Sequence, residues 1–229
     1  MKKEKKSFSG LKSPIKINFK TEMLPILLII FSLISSFYFL QQMPEKIPTH
    51  WNFKGEIDNW GNSSAHVLTI NLVMLGIYLL FLLVPCIDPH KERYEQFQKI
   101  YHIFKNIIIL FFALIFFLTN LNGIGYNINI NIYIPLMVGL LFIIIGNYMA
   151  KIKTNWFIGI RNPWTLSSEE AWNETHRIGS KLFIVSGILI ALEGFLAIKY
   201  RIFVFGLVIA IILIGTSLSS YLIYLKTKK

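Results

Sequence analysis

The sequence predicts an all-α integral membrane protein, a bundle of six transmembrane helices with both termini in the cytoplasm. Of its 229 residues, 54% are apolar and only 15% are charged, whereas soluble proteins carry about 25% charged residues. The apolar residues form six runs near the roughly 20 residues that a helix needs to cross a bilayer. Basic residues are concentrated in alternate connections between these runs. This pattern excludes a soluble domain, a disordered chain and a disulfide-stabilised scaffold, since Cys86 is the only cysteine.

The six apolar runs define the predicted spans, which cover residues 23–40, 68–85, 107–121, 132–149, 182–198 and 202–225. The third run is the shortest, and Tyr101 and Lys105 extend it by a turn towards the membrane interface. None of the prolines lies in the middle of a span, where it would remove a backbone hydrogen bond. Small residues four positions apart let helices approach closely in lipid; they are Gly146 and Ala150, Gly187 and Ala191, Gly206 and Ala210, and Gly215 and Ser219. A compact bundle is therefore expected.

The distribution of lysine and arginine predicts the orientation. Nineteen of the 23 lie in the amino-terminal tail, the second-to-third connection, the fourth-to-fifth connection or the carboxyl end. Such residues accumulate on the cytoplasmic side of membrane proteins, so both termini are expected there. The formal net charge of +11 then reflects topology and anionic headgroups. The lipid bilayer is the expected partner, and direct binding of nucleic acid is not expected.

The chain is expected to divide into three parts. Residues 1–22 form a basic cytoplasmic tail, residues 23–90 a two-helix membrane unit with an extracellular loop, and residues 91–229 a four-helix unit with a cytoplasmic loop at 151–181. Glu193 is the one ionisable residue inside a predicted span. It is either a functional intramembrane carboxylate or a group one turn below the outer interface that reaches water, Lys199 or Arg201.

The extracellular loop concentrates residues that shape a turn. Pro44 and Pro48 fix an extended entry, and Gly55 permits a positive φ where the chain reverses. Trp51, Phe53 and Trp60 are aromatic rings of the kind found at headgroup level. Four polar residues nearby suggest a metal site, namely His50, Glu56, Asp58 and His66. Their spacing matches no zinc pattern, so an ordered cap without a metal is the preferred interpretation.

The cytoplasmic loop predicts a capped helix. Ser167, followed three residues later by Glu170, is a capping box that starts a helix near Ser167, and Glu169 suits the positive end of that helix. Four residues share one helix face by their spacing: Trp172, Thr175, His176 and Gly179. Arg161 is placed to reach a carboxylate or a lipid phosphate, and Trp156 and Trp164 are expected to anchor the loop at the interface. Taken alone, the loop is interpreted as a connection that leads the chain back into the membrane at the fifth span.

Both loops resemble known sequence patterns. Residues 44–60 resemble the signature of a small uncharacterised membrane domain through Pro44, Pro48, His50, Trp51, Asn52, Gly55, Asp58 and Trp60. Residues 155–177 resemble the signature of the SdpI family through Asn155, Gly159, Arg161, Pro163, Trp164, Thr165, Glu169, Trp172, Thr175, His176 and Arg177. The resemblance covers about residues 23–200. It departs from the pattern at Asn162, where a threonine is expected, and at Ser180, where a glycine is expected.

The resemblance implies a multi-pass protein of the bacterial cell membrane that confers resistance to a secreted membrane-active peptide toxin. It also implies a receptor that holds a cytoplasmic transcriptional repressor at the inner face. The residues of the first pattern would then contact the toxin, and those of the second would contact the repressor. An aromatic outer cap suits an amphipathic peptide, and a basic, aromatic inner loop suits a protein partner.

Two other functional classes follow less well from the residues. A transporter or exporter of a peptide or small solute usually needs paired ionisable groups at mid-depth, and the predicted spans lack them. An enzyme is not indicated either, because the chain has no His-Glu-x-x-His, no Gly-x-Ser-x-Gly and no phosphate-binding loop. No catalytic residue, metal or cofactor is therefore expected.

Overall fold

The computed structural model describes residues 13–52 and 54–227 of the chain. Most of the basic tail, the ring of Phe53 and the last two lysines lie outside the described residues. The helices are α1 (Phe19–Gln42), α2 (Ser63–Ile87), α3 (Tyr94–Gly123), α4 (Ile130–Met149), α5 (Pro163–Ser167), α6 (Glu169–Glu193) and α7 (Ile198–Thr227), with a 3-10 turn at Lys91–Arg93 and two strands, β1 (Lys46–Trp51) and β2 (Ile57–Asn62).

Six of these helices are long and apolar enough to cross a bilayer, which confirms the predicted fold class. Ile34, Phe203 and Leu213 illustrate the outer surface of the bundle, where each side chain is more than half exposed. In a membrane such faces contact lipid, while each helix satisfies its own backbone hydrogen bonds. Which compartment each end of the bundle faces remains a prediction.

Helix α6 begins near Ser167, as predicted, but the predicted capping box was wrong. The cap is Ser168, whose Oγ accepts a hydrogen bond from Ala171 N at 3.2 Å. Ser167 instead ends α5, and its hydroxyl donates to the Trp164 carbonyl at 3.0 Å. At the other end, the fifth span stops at Glu193 and not at residue 198. The apolar residues 195–197 continue the hydropathy pattern but form the turn to α7, so hydropathy alone missed the helix end.

The helices pack as two groups that meet along α3 and α4. Helices α1, α2 and α3 contact one another, α6 packs against both α4 and α7, and α3 reaches α4 over a smaller surface. A Cβ at Gly139 would lie only 2.5 Å from the Gly187 carbonyl oxygen, so α4 and α6 approach closely at Gly187 as predicted. Gly206 has open space around it, and its predicted role in helix packing was wrong. The predicted division of the chain at residue 90 stays a prediction.

A buried ion pair lies inside the first helix group. Lys105 Nζ lies 2.5 and 2.6 Å from the two carboxylate oxygens of Glu22, and the side chains are only 1% and 9% exposed. Tyr78 on α2 donates its hydroxyl to the same carboxylate at 3.0 Å. The expectation that Glu193 is the one ionisable residue within the spans was therefore wrong. Helices α1 and α3 extend beyond the apolar runs and carry Glu22 and Lys105 into the bundle.

Candidate functional site

The predicted extracellular loop is a β-hairpin, which the sequence analysis treated only as an ordered cap. Strands β1 and β2 pair antiparallel, with Pro48 opposite Trp60. The side chain of Ile47 is completely buried, and its Cδ1 would lie 3.4 Å from a Cβ at Gly123, at the end of α3. This apolar contact fixes the hairpin on the bundle. The strands are short and mostly polar, so no alternation of apolar residues indicated them.

Asn52 and Gly55 shape the tip of the hairpin. Asn52 Oδ1 accepts hydrogen bonds from the backbone N–H groups of Lys54 at 2.9 Å and Glu56 at 3.0 Å. Gly55 has a φ of +79°, which confirms the predicted reversal, because other residues adopt this conformation at a cost. A Cβ at Gly55 would overlap the side chain of Asn131 on α4. The tip is therefore held directly against the second helix group.

The two strands bring His50 and Asp58 together. His50 Nδ1 lies 2.5 Å from Asp58 Oδ1, and the side chains are 65% and 41% exposed. His66 is instead bonded through Nε2 to the Thr119 hydroxyl at 3.0 Å, and Glu56 accepts from Asn52 Nδ2 at 3.1 Å. Within residues 13–52 and 54–227, no three His, Cys, Asp or Glu side chains come together as a group that would hold a metal.

A cavity of about 500 Å³ lies beneath the hairpin. Its walls come from β1 and the hairpin tip, from α2, α3 and α4, and from the end of α6 and the start of α7. The lining includes His50, Trp51 and Asn52 from the hairpin, Ile70, Ile115 and Ile134 from the helices, and Asn131, Glu193 and Arg201 around the polar part. Of the predicted outer-site residues, Pro44, Pro48, Gly55, Asp58 and Trp60 do not line it. Pro44, Asp58 and Trp60 are exposed on the hairpin.

At the opposite end of the bundle, residues 151–168 form the motif loop, which is organised around Asn155. Its side chain is completely buried. Asn155 Oδ1 accepts from the N–H groups of Phe157 at 2.9 Å and Ile158 at 2.7 Å, and Nδ2 donates to the Lys153 carbonyl at 2.9 Å. All these bonds are internal to the loop. Asn155 therefore sets the shape of the backbone.

Asp88, which the sequence analysis did not single out, ties the motif loop to the first helix group. Its Oδ2 accepts from the Tyr94 hydroxyl at 2.8 Å and from Trp156 N at 2.9 Å. Oδ1 accepts from His90 N at 2.7 Å. The side chain is 2% exposed. The sequence does contain a signal for Asp88, because this acidic residue directly follows an apolar run and begins a connection that is rich in basic residues.

His176 and Trp172 support the other half of the motif loop. His176 Nε2 accepts from Ile160 N at 3.0 Å, while Nδ1 donates to the Trp172 carbonyl at 2.8 Å. The imidazole stacks on the indole with 4.1 Å between ring centroids. Gly159 has a φ of +115°, and a Cβ there would overlap His176 Nε2. Both ring nitrogens of His176 are thus hydrogen-bonded, Nε2 to the motif loop and Nδ1 within α6.

The predicted helix face on α6 is confirmed, since Trp172, Thr175, His176 and Gly179 are all buried. Trp172 Nε1 donates to the Ile152 carbonyl at 2.8 Å. Thr175 differs from the rest, because its buried hydroxyl has no hydrogen-bond partner among the described residues. The face therefore points into the bundle and away from any partner protein.

The short helix α5 explains one departure from the family pattern. Asn162 and Thr165 form a reciprocal capping box with Pro163 at the start of the helix, and Asn162 Nδ2 donates to Ser220 Oγ on α7 at 2.7 Å. Asn162 thus caps as a threonine would and also reaches α7. Trp164 packs on Tyr221 of α7, with 5.2 Å between ring centroids.

The second departure has a similar explanation. The hydroxyl of Ser180, where the pattern has a glycine, donates to the Gly146 carbonyl at 2.6 Å. This bond joins α6 to α4 at a point where the two backbones are close. A serine at this position therefore adds a polar contact that a glycine could not make.

The exposed residues of the motif make local contacts. Arg161 donates to the Trp156 carbonyl and, among the described residues, forms no ion pair with a carboxylate. Its contact with a lipid phosphate stays a prediction. Arg177 pairs with Glu174 at 2.6 Å, and Glu169 pairs with Arg93 at 2.8 Å, which joins α6 to the start of α3. The motif thus divides into a buried scaffold and an exposed set of Gly159, Arg161, Pro163, Glu169 and Arg177. Trp164 is half-buried.

The bundle has six membrane-spanning helices, with the hairpin and its cavity at one end and the hydrogen-bonded motif loop at the other. This arrangement defines a multi-pass membrane protein with a polar site at each surface. The chain belongs to the SdpI family. Residues 151–220 match the SdpI/YfhL protein family, and residues 27–75 match a domain of unknown function, DUF1648. The Immunity protein SdpI of Bacillus subtilis (strain 168) is 31% identical over 214 residues, which cover 90% of this chain and 97% of the relative. No solved structure matches the chain.

Proposed function

We propose that this chain is a non-enzymatic immunity protein of the bacterial cell membrane, which protects its cell against a secreted membrane-active peptide. The observation that carries the proposal is the cavity of about 500 Å³ beneath the hairpin. Similarity to an immunity protein over 90% of the chain supports it. The hairpin is taken to face the outside, as the distribution of basic residues predicts.

The chemistry of the cavity suits such a peptide. A peptide that acts on membranes carries apolar side chains and gathers at headgroup level. Trp51 offers an aromatic surface of the kind that dominates binding interfaces, and Ile70 and Ile115 offer apolar walls. Protection then needs only that the peptide is held by the protein. No chemical step is required.

The test is survival of a sensitive host that expresses the chain and is exposed to purified membrane-active peptides. Trp51→Ala removes an aromatic wall of the cavity, and Asp58→Ala removes the partner of His50. Truncation of an aromatic anchor costs ~2 kcal/mol or more, so Trp51→Ala is expected to lower the tolerated dose by at least about tenfold. Asp58→Ala is expected to have a smaller effect.

Glu45→Ala is the matched control, because Glu45 is exposed at the base of the hairpin and does not line the cavity. It should protect as well as the wild type. Each variant must be present in the membrane at the wild-type amount. If the wild-type chain is folded and abundant but the host dies at the same dose as without it, the proposal is wrong.

Export of the peptide is the second candidate function, and the buried pair of Glu22 and Lys105 is the observation that favours it. Coupled transporters use paired ionisable groups within the membrane. Peptide associated with proteoliposomes would be measured with and without a proton gradient. An exporter needs the gradient, whereas a protein that sequesters the peptide binds it equally well in both conditions.

We further propose that the motif loop docks a cytoplasmic transcriptional repressor. Support comes from the exposed residues around it, where Trp156 is 49% and Phe157 is 37% exposed and Arg161 and Arg177 add positive charge. Arg177→Ala should keep protection but lose the transcriptional response to the peptide, measured by RNA sequencing in the native strain. An unchanged response would contradict this second role.

A further inference from the structure

We infer that the cavity beneath the hairpin recognises an ammonium group on the apolar peptide through the carboxylate of Glu193. This inference rests on the proposed function for the nature of the ligand, and it names the chemistry by which that ligand is selected. The ammonium is either that of a lysine side chain or that of the peptide's amino terminus.

The carboxylate of Glu193 contacts no cation directly among the described residues. Glu193 is the last residue of α6 and lines the cavity. Within residues 13–52 and 54–227, its carboxylate makes no hydrogen bond and no ion pair within 4.0 Å. A half-buried carboxylate without a partner is unfavourable in a membrane protein. A bound cation would compensate for that cost.

The nearby Arg201 does not fill this role. Its guanidinium interacts with Glu193 electrostatically, but its Nε donates to the Leu196 carbonyl at 3.1 Å and its Nη2 to the Gly194 carbonyl at 3.0 Å. Arg201 therefore holds the turn between α6 and α7. Because those bonds fix the guanidinium on the backbone, the Glu193 carboxylate is left to face the cavity.

In the described part of the chain, no other side chain that lines the cavity competes with Glu193 for a positively charged ligand. Glu193 is the one carboxylate among the described residues that line it. His50 is paired with Asp58, and His66 is bonded to Thr119. A positive group entering the cavity thus has a single acidic partner. Trp51 adds an aromatic face, which also attracts cations.

The walls require that this cation be attached to apolar groups. Ile70, Ile115 and Ile134 line the cavity beside the polar part. Further along α3 and α4, these two helices line a second, apolar space of about 170 Å³ beside Leu114 and Leu141. The junction of the two helix groups therefore offers room for apolar side chains beneath the charged group.

A lipid headgroup fits this site less well than a peptide does. Phosphoethanolamine would bring an ammonium but also a phosphate. Among the described residues lining the cavity, Arg201 is the one permanently charged cation, and it is already bonded to two carbonyl groups. A peptide that bears one positive charge and no phosphate does not need an anion-binding group in the cavity.

The experiment measures binding of three labelled peptides to the full chain in phosphatidylcholine nanodiscs. Each is a leucine-alanine helix of about 24 residues, long enough to span the hydrocarbon core. The first has a blocked amino terminus and one lysine in its first turn. The second has glutamine in place of that lysine, and the third is the glutamine peptide with a free amino terminus. Fluorescence anisotropy gives the dissociation constants.

The wild type should bind the lysine peptide, the free-terminus peptide or both about tenfold more tightly than the neutral one, equivalent to about 1.4 kcal/mol. Whichever charged peptide binds more tightly than the neutral one identifies the source of the ammonium. Glu193→Gln should lose this preference, Glu193→Asp should keep part of it, and Glu45→Gln, at an exposed acid outside the cavity, should keep all of it. Equal binding of the three peptides to the wild type overturns the inference without any variant, as does a preference that survives in Glu193→Gln.

Two further outcomes separate this inference from its alternatives. If wild-type protein retains phosphatidylethanolamine through purification and Glu193→Gln does not, as seen by mass spectrometry, the cavity is a lipid site and the inference is overturned. Protection in the survival assay without any preference for the charged peptides refutes this inference alone. A preference without protection supports the ammonium site and refutes the immunity function.

Discussion

Removal of one partner from the buried ion pair should destabilise the first helix group strongly. Lys105→Met leaves the Glu22 carboxylate, which is 9% exposed, without the cation that lies 2.5 and 2.6 Å from its oxygens. Breaking a buried pair in this way costs ~3–5 kcal/mol, because an uncompensated charge stays behind. Glu22→Met should cost a similar amount, since it leaves the Lys105 ammonium buried.

The double variant distinguishes an ion pair from two independent contacts. Replacing both residues with methionine removes both charges, and what remains unpaired is the Tyr78 hydroxyl, which bonds Glu22 at 3.0 Å. An unsatisfied buried hydroxyl costs ~1–3 kcal/mol. The double variant should therefore be more stable than either single variant, with a coupling energy of at least ~3 kcal/mol.

Stability would be measured as reversible unfolding by SDS in mixed micelles, followed by circular dichroism. Lys99→Met is the matched control, because Lys99 is exposed on the same helix, and its change should stay within ~0.5 kcal/mol. The reasoning is refuted if Lys105→Met behaves like that control. It is also refuted if the costs of the two single variants simply add in the double variant.

Two further predictions concern the ends of the bundle. Asp88→Asn replaces the carboxylate that accepts from the Tyr94 hydroxyl and from Trp156 N with an amide that also carries donors. Loss of a charged hydrogen bond costs ~1.5–3 kcal/mol, so the motif loop should loosen and trypsin should cut it at least about tenfold faster in proteoliposomes. Glu92→Gln is the control, and equal cleavage rates would contradict the role of Asp88. In a Cys86→Ser background, an impermeant maleimide should label Trp60→Cys in intact cells and Trp164→Cys only after lysis, and labelling of both in intact cells would show that the predicted topology is wrong.

The sequence determined the features that depend on short stretches of chain. A helix needs about 20 mostly apolar residues to cross the bilayer, so the runs of apolar residues alone located six spans. The turn at Gly55 and the common face of Trp172 and His176 were also predictable, because backbone conformation and helical periodicity are local properties. The cap of α6 was not, since the capping-box pattern selects Ser167, whereas α5 ends at Ser167 and leaves Ser168 as the cap.

Only the tertiary structure decided which distant groups meet. Glu22 and Lys105 are 83 residues apart, and Asp88 and Trp156 are 68 apart. Glu193 lines the cavity beneath the hairpin because α6 ends there. Each meeting depends on how far a helix extends past its apolar run and on how it is rotated against its neighbours. Hydropathy reports the depth of a residue in the bilayer but not the direction in which its side chain points. For that reason the composition established a membrane protein, while its polar sites required the packed bundle.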